Sequence, residues 1–535
     1  MGTSIYEAYC SREARAFFPD HFADGEARSR AVARAARALD PVVADAIERQ
    51  NGRFEPSAAR DRNVARLRAG AAAVVTGQQV GLFLGPLYNL YKAASAIRVA
   101  RALEESTGAP VVPVFWLQTE DHDLPEIASC RLPRASGAPL CLELPSSCES
   151  RVSLAHLRLP AEIDERVRAL RDEIAGLPYA DAHLARLQRH YRAGARWADA
   201  FAGVLSELFA ADGLVIVDPR APELAGVAAP IHRLAIERAE PIASALLARG
   251  REIEEAGFTA AVHVREGAPL SFFHSTGADG PRYRLTPEAA GWQEVGGERI
   301  HGKDELLAAL ERSPSFFSTS VLLRPILQDA LLPTAAYVGG AGEVAYFAQL
   351  APLYDEYELA MPIVVPRAGF RLVEERTRRL LRRVGVEASC APRPEAEILA
   401  ETEAGAAVAT AADRLRASLG AAFADSVEQA RRELEAAGPG MSRAVAKALA
   451  SVEHSVERLI GKYETACLHR RSDLLRAVQQ IKWLLHPDGV PQERFYGFPY
   501  FAARYGERAV LERVLDTVVP FDPAVRDLEV GDEPA

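Results

Sequence analysis

No two of the six cysteines (Cys10, Cys130, Cys141, Cys148, Cys390 and Cys467) stand in a C-x-x-C pair, so the 535-residue sequence indicates neither a zinc ribbon nor a disulfide framework. No apolar run approaches the roughly 18 residues that span a bilayer, and the N-terminal stretch has no signal-peptide core. A cytoplasmic protein with no membrane partner is the expectation. Positive charge is also short: a formal net charge of -10 argues against broad nucleic-acid binding. Lysine is scarce, confined to Lys92, Lys303, Lys447, Lys462 and Lys482 in a chain that otherwise uses arginine. A position that keeps lysine is one where a compact ammonium can matter. Neither G-x-x-x-x-G-K-[ST] nor G-x-G-x-x-G occurs after a strand, which disfavours a P-loop kinase or an ordinary dehydrogenase.

What is present begins with Ala71 to Cys130. Ala71 to Val75 is a short apolar run without helical period, as in a strand covered on both faces. Gly77, Gly81 and Gly85 then read as turn residues, and Pro86 as the first residue of a helix. Leu87, Leu90, Tyr91, Ala94, Ile97 and Leu103 share one helical face, and Ser106 to Pro110 supplies the stop. Val111 to Leu117 is a second strand. Ser318 to Phe370 repeats the order: strand Thr334 to Val338, Gly339-Gly340-Ala341-Gly342, a helix opened by Glu343, and strand Pro362 to Pro366.

The fold expected is α/β. A helical layer occupies residues 1–70, and a Rossmann-like parallel-sheet core occupies 71–370 with insertions at about 131–210 and 259–312. In the second insertion Ala261 to Val264, Leu270 to His274 and Arg282 to Leu285 look like strands. Residues 371–485 form a helical coiled-coil arm, with Leu415, Leu419, Phe423 and Val427 on one stripe and Val452, Val456, Leu459, Tyr463 and Cys467 on the other. Gly438-Pro439-Gly440 joins the two, and such an arm commonly pairs with a copy of itself, giving a homodimer. Residues 486–535 are aromatic enough to pack back on the core.

In an open parallel sheet, ligands lie outside the carboxyl ends of the strands. Thr76-Gly77-Gln78-Gln79 and Glu120-Asp121-His122-Asp123 both follow strands, so they face one cleft. Three acids and a histidine in a row repel one another and require a metal, a cationic substrate or a shared proton; capping a helix accounts for one acid only. His122 is a candidate general acid/base or phosphoryl stabiliser, and Asp121 and Asp123 candidates to hold an ammonium or Mg²⁺. Gly85 and Pro86 mark a helix start that could hold a phosphate or only a tight turn, with Lys92 two turns along and directed elsewhere. Gly339 to Glu343 is a second such start. Arg324 and Asp329 either form a buried ion pair or bind a carboxylate and an amine.

TGQQVGLFLGPLYNLYK, PVFWLQTEDHD, VLLRPILQDALLPTAAYVGGAGEVAYFAQL and the closing PQER and ARYG resemble the bacillithiol biosynthesis cysteine-adding enzymes, the BshC family, over nearly the whole chain. The resemblance implies a core similar to class I nucleotidyl transferases, with connecting-peptide insertions and a coiled-coil dimerisation arm. It implies a ligase that joins the carboxyl group of L-cysteine to the amine of glucosaminyl malate, with ATP, and possible Mg²⁺, activating the carboxylate and leaving as AMP or ADP. There is no H-I-G-H or K-M-S-K-S element; Gly81 to Pro86 stands where the first belongs. On this reading Thr76, Gly77, Gln78, Gln79, Gly85, Pro86 and Asn89 bind the nucleotide or activated carboxylate. Asp121, His122 and Asp123 are catalytic. Trp116, Glu120, Arg324, Asp329, Gly339, Gly340, Gly342 and Glu343 bind substrate, with no dedicated metal ligands. The competing class is a non-catalytic nucleotide- or metabolite-binding dimer acting as a sensor or scaffold.

Overall fold

The computed structural model describes residues 4–134, 138–145, 151–435, 441–469 and 472–531. Cys148 and the Gly438–Gly440 link lie outside them. Five parallel strands make the central sheet: β1 (Ala72–Gln78), β2 (Val111–Leu117), β3 (Val215–Val217), β4 (Thr334–Gly339) and β5 (Ile363–Pro366). Their spatial order is β5-β4-β1-β2-β3, the Rossmann arrangement, in which the order reverses between β1 and β4. Helix α1 (Tyr88–Thr107) links β1 to β2 and stops at Gly108, whose φ of 70° is the left-handed cap that glycine adopts freely.

The strands read as continuous apolar runs because both faces are covered. Val112, Val114 and Trp116 of β2 enter one core with Tyr9, Val43 and Ile47 of the N-terminal helices, while Phe115 and Leu117 enter the other with Phe201 and Leu205. Tyr9 donates from its hydroxyl to Val364 O of β5 at 2.7 Å, a direct tie between the first helix and the sheet.

β1 runs further than its composition implies. Gly77 is a strand residue rather than a turn residue, paired with Trp116; a Cβ there would stand 2.9 Å from Trp116 O. The turn comes later, at Gly81–Gly85, where Gly85 has φ 63° and a Cβ on Gly81 would meet Gly85 Cα at 2.8 Å. Pro86 precedes α1 by two residues and bridges to Gly497.

The second insertion builds an antiparallel sheet from Ser271–Phe273, Tyr283–Glu288, Gly291–Glu294 and Ile300–His301, completed by Phe317–Thr319. Ala261 to Val264 forms no strand. After it come α2 (Leu323–Leu331) and, following β4, the short α3 (Ala341–Phe347).

The arm consists of α4 (Glu403–Glu435), α5 (Met441–His469) and α6 (Ser472–Leu485). Arg416 of α4 pairs with Glu457 of α5 at 2.8 Å, as an antiparallel hairpin requires. The chain then returns to the core. Tyr496 O accepts from Leu87 N at 2.9 Å, and Val525–Val530 pairs in parallel with Gly369–Glu374.

Candidate active site

The reversal between β1 and β4 opens a cavity of about 540 Å³ at the carboxyl edge of the sheet. β1 and the residue after it supply Gln78 and Gln79; β2 and the loop after it supply Trp116, Gln118, Glu120, Asp121 and His122. Gly340, Gly342 and Glu343 enter from the start of α3, Arg324 from α2, Phe272 from the inserted sheet, Arg282 from just before its strand Tyr283–Glu288, Arg367 from just after β5, and Arg494 from the returning chain.

The acidic run does not repel itself, because each member has a separate partner. Glu120 is buried and accepts from Thr319 N at 3.1 Å and from the Thr319 hydroxyl, binding the inserted sheet to the core. Asp121 Oδ1 accepts from its neighbour's amide, His122 N, at 2.7 Å, and Oδ2 from Gln79 Nε2 at 2.7 Å. Arg282 Nη1 lies 3.4 Å from Asp121 Oδ1 and 3.1 Å from His122 Nδ1. Burial lowers the His122 pKa, and Arg282 adds to the effect; Asp121 and Asp123 oppose it. Asp123 is the N-cap of the short helix Leu124–Ile127 and does not line the cavity.

Lys92 points into the site. Its Nζ donates to Gly77 O at 2.5 Å and Gln78 Oε1 at 3.0 Å and pairs with Glu343 Oε2 at 2.5 Å. Burial pushes its pKa down to about 8 against the pull of Glu343. Glu343 in turn accepts from Tyr337 Oη at 2.5 Å and from Gly340 N at 2.8 Å. One ion pair therefore spans the crevice between β1 and β4.

Four arginines of the lining keep guanidinium capacity for a ligand. Arg324 bonds to the Tyr346 hydroxyl, and Arg265, Arg284 and Arg494 make no side-chain hydrogen bond or ion pair among the described residues. Arg367, by contrast, is held by Glu493 in a buried two-pronged pair, with Nη1 to Oε2 at 3.0 Å and Nη2 to Oε1 at 2.5 Å. Arg367 and Arg494 flank the Tyr88 ring at 5.7 and 5.9 Å. On the acidic side Glu126, whose pKa burial raises, has no ion pair among the described residues.

A family model described as "Bacillithiol biosynthesis BshC, N-terminal Rossmann-like domain" matches residues 3–368, and its companion, "C-terminal coiled-coil domain", matches 370–526. The chain belongs to the BshC family. A relative from Koribacter versatilis is 35% identical over 465 residues, 87% of this chain and 85% of its own. One from Solibacter usitatus is 33% identical (82% and 80%) and one from Salinibacter ruber 32% identical (91% and 89%). All three carry the name "Putative cysteine ligase BshC". Two features expected from the sequence, a Rossmann-like core and a coiled-coil domain, are thus those of a BshC protein.

Of the residues singled out from the sequence, Gln78, Gln79, Trp116, Glu120, Asp121, His122, Arg324, Gly340, Gly342 and Glu343 line the one cavity. Others do not. Thr76 is sealed in the sheet, its hydroxyl on Val338 O at 2.8 Å, and Gly77 offers only its carbonyl to Lys92. Asn89 is buried and donates to Leu84 O at 2.7 Å. Gly85 and Pro86 border a separate cavity of about 280 Å³ under Phe495 and Gly497. At the helix start they form, Leu87 N is taken by Tyr496 O, and Asn89 N by Pro86 O. Gly339 does not reach the cavity, and the Gly340 amide is taken by Glu343. Asp329 forms no ion pair with Arg324; it is buried against Tyr354 and Gln328 away from the cavity lining.

Arg282, Tyr88, Glu126, Arg367 and Arg494 line the cavity without being expected there from the sequence, and Lys92 is directed into the site, not elsewhere. Lysine's rarity was the one available signal for Lys92, and PQER for Arg494. Nothing local marks Arg282.

Proposed function

We propose that this cavity joins the carboxyl group of L-cysteine to the amine of glucosaminyl malate, forming the amide of bacillithiol through an activated carboxylate. Membership of the BshC family and the printed names of the relatives support the reaction class. One geometric observation supports the place: a single cavity at the strand-order reversal presents Arg324 and Arg494 together with Asp121, Glu126 and His122. Each substrate carries an amine and at least one carboxylate, and a site for them needs both signs of charge.

A free carboxylate does not acylate an amine in water, and ATP is the expected activator, with AMP or ADP as product. The residues fit such a group. Planar guanidinium forks match phosphate or carboxylate oxygens, and Asp121 or Glu126 suits an ammonium or the water shell of Mg²⁺. In the joining step the amine nitrogen bonds to the activated carboxyl carbon. The activating oxygen leaves with its electron pair and the amine loses a proton. Trp116, beneath the cavity, and Glu120, through Thr319, shape and close it.

Purified protein given glucosaminyl malate, L-cysteine, ATP and Mg²⁺ is expected to release the amide together with AMP or ADP, identified by mass spectrometry. Absence of product with every nucleotide tried removes the ligase reading. His122→Ala is expected to fold normally and lose at least about a hundredfold in turnover; unchanged turnover rejects a catalytic role for this side chain. The arm is read as the contact between two copies of the chain.

A further inference from the structure

What His122 can do depends on which ring nitrogen carries hydrogen, and its neighbours decide that. Arg282 is buried, its side chain 5% exposed, and every nitrogen of its guanidinium is engaged. Nη2 donates to Thr319 O at 2.7 Å and Nε to Ser318 Oγ at 3.3 Å, while the Phe272 ring centroid lies 3.8 Å from the guanidinium carbon. Nη1 is the atom 3.1 Å from His122 Nδ1. A guanidinium has donors only and keeps its charge in proteins, so the hydrogen in this contact belongs to the arginine. Nδ1 must then be the lone-pair nitrogen. Asp121 Oδ1, at 3.7 Å from Nδ1, is too far to claim a proton there. The Nε2 atom has no hydrogen-bond partner among the described residues, and the ring, 34% exposed, borders the cavity.

We propose that Arg282 is the positioning residue of this site: it locks His122 as the neutral Nε2–H tautomer, so that the imidazole offers a hydrogen-bond donor to an oxyanion of the bound substrate instead of a base to the amine. Which oxyanion is meant rests on the ligase reading above; the tautomer does not. A preorganised donor stabilises charge that grows on a carboxyl or phosphoryl oxygen, whereas a base would need a free lone pair at the cavity side of the ring. The proton lost by the amine then departs with the leaving oxygen or to water. The charged groups around the ring agree with a neutral state: burial and then Arg282 lower its pKa, Arg151 adds to this, and Asp121 and Asp123 oppose it from His122's own loop.

The full chain with ¹⁵N-labelled histidine rings, without substrates, tests this by nitrogen–proton correlation NMR, the His122 signals being those lost in His122→Asn. At pH 7 Nδ1 is expected at the unprotonated shift and Nε2 at the protonated one, with the imidazolium forming only below the ordinary histidine range. A protonated Nδ1, or a charged ring at pH 7, overturns the proposal, and this measurement needs no variant of Arg282 to fold. In folded Arg282→Gln the titration midpoint is expected to move upward and the tautomers to mix; an unmoved midpoint also overturns it. For catalysis, His122→Gln keeps an N–H near the Nε2 position and is expected to retain at least about tenfold more turnover than His122→Ala. Equal loss in the two rejects the donor role. A wild-type protein with the stated tautomer and no amide product refutes the ligase reading while leaving the tautomer intact.

Discussion

At the scale of single residues, the unusual ionisations divide between the cavity and the packing behind it. Asp329 illustrates the second kind. Burial raises its pKa to about 6 from an ordinary 3.8, with hydrogen bonds from Tyr354 and Gln328 only partly offsetting the cost of the charge. A carboxyl whose folded pKa is raised binds more protons in the folded than in the unfolded state between those two values. Stability contributed by the wild-type side chain therefore falls as pH rises from about 4 to about 6. Asp329→Asn removes that dependence. Urea unfolding of the two proteins at pH 4 and pH 7 is expected to show the variant gaining about 2 kcal/mol relative to wild type across the interval; a constant difference contradicts a buried, pKa-raised carboxyl. Lys92 represents the first kind. Replacing it by methionine strands Glu343 in the crevice without its ion pair, at a cost of about 3 to 5 kcal/mol in the same assay. A loss below 1 kcal/mol means that the pair bridging β1 and β4 does not hold the crevice together.

At the scale of elements, apolar runs and helical periods made β1, α1, β2, β4 and β5 legible, because a strand buried on both faces and a helix between two such strands leave a pattern in consecutive residues. The end of β1 was not legible. Gly77 reads as a turn residue by composition, yet its role is close approach to the neighbouring strand, a fact about Trp116 and not about its own neighbours. Gly77→Ala places a Cβ 2.9 Å from the Trp116 carbonyl, which cannot move without disturbing the ladder. The expected loss is about 1 to 3 kcal/mol, seen as a lower urea midpoint and a shifted Trp116 fluorescence; wild-type stability would show that the strand yields freely. At the two helix starts part of the amide supply is taken for a related reason. Spare amides at Gly85–Pro86 and Gly340 are apparent in the local sequence, whereas the groups that consume them, Tyr496 O for the first and Glu343 for the second, depend on how the chain folds back. Likewise Arg282 sits 160 residues from His122 in the chain, and no local pattern reports such a pairing.

At the scale of the whole molecule, three distant segments converge on one cavity, and the last of them arrives only after the arm. Arg367 at the end of the core is clasped by Glu493 just beyond α6, so the arm is bracketed by a buried two-pronged ion pair. This places the arm's orientation and the cavity's Arg367–Tyr88–Arg494 wall under a common constraint. The arm itself leaves Phe423, Val452, Leu459 and Tyr463 exposed, Leu459 by 57%. A two-helix hairpin buries only one stripe of each helix, and a second exposed stripe at coiled-coil spacing is satisfied by another pair of helices. Leu459→Glu puts a charge in that stripe without touching the hairpin's own contacts. Analytical ultracentrifugation is expected to show wild type as a dimer of about 116 kDa, twice the 58.0 kDa chain, and the variant shifted toward monomer by at least about tenfold in dissociation constant. If wild type sediments as a monomer, the exposed stripe faces something other than a second copy, and the arm's role in assembly is wrong.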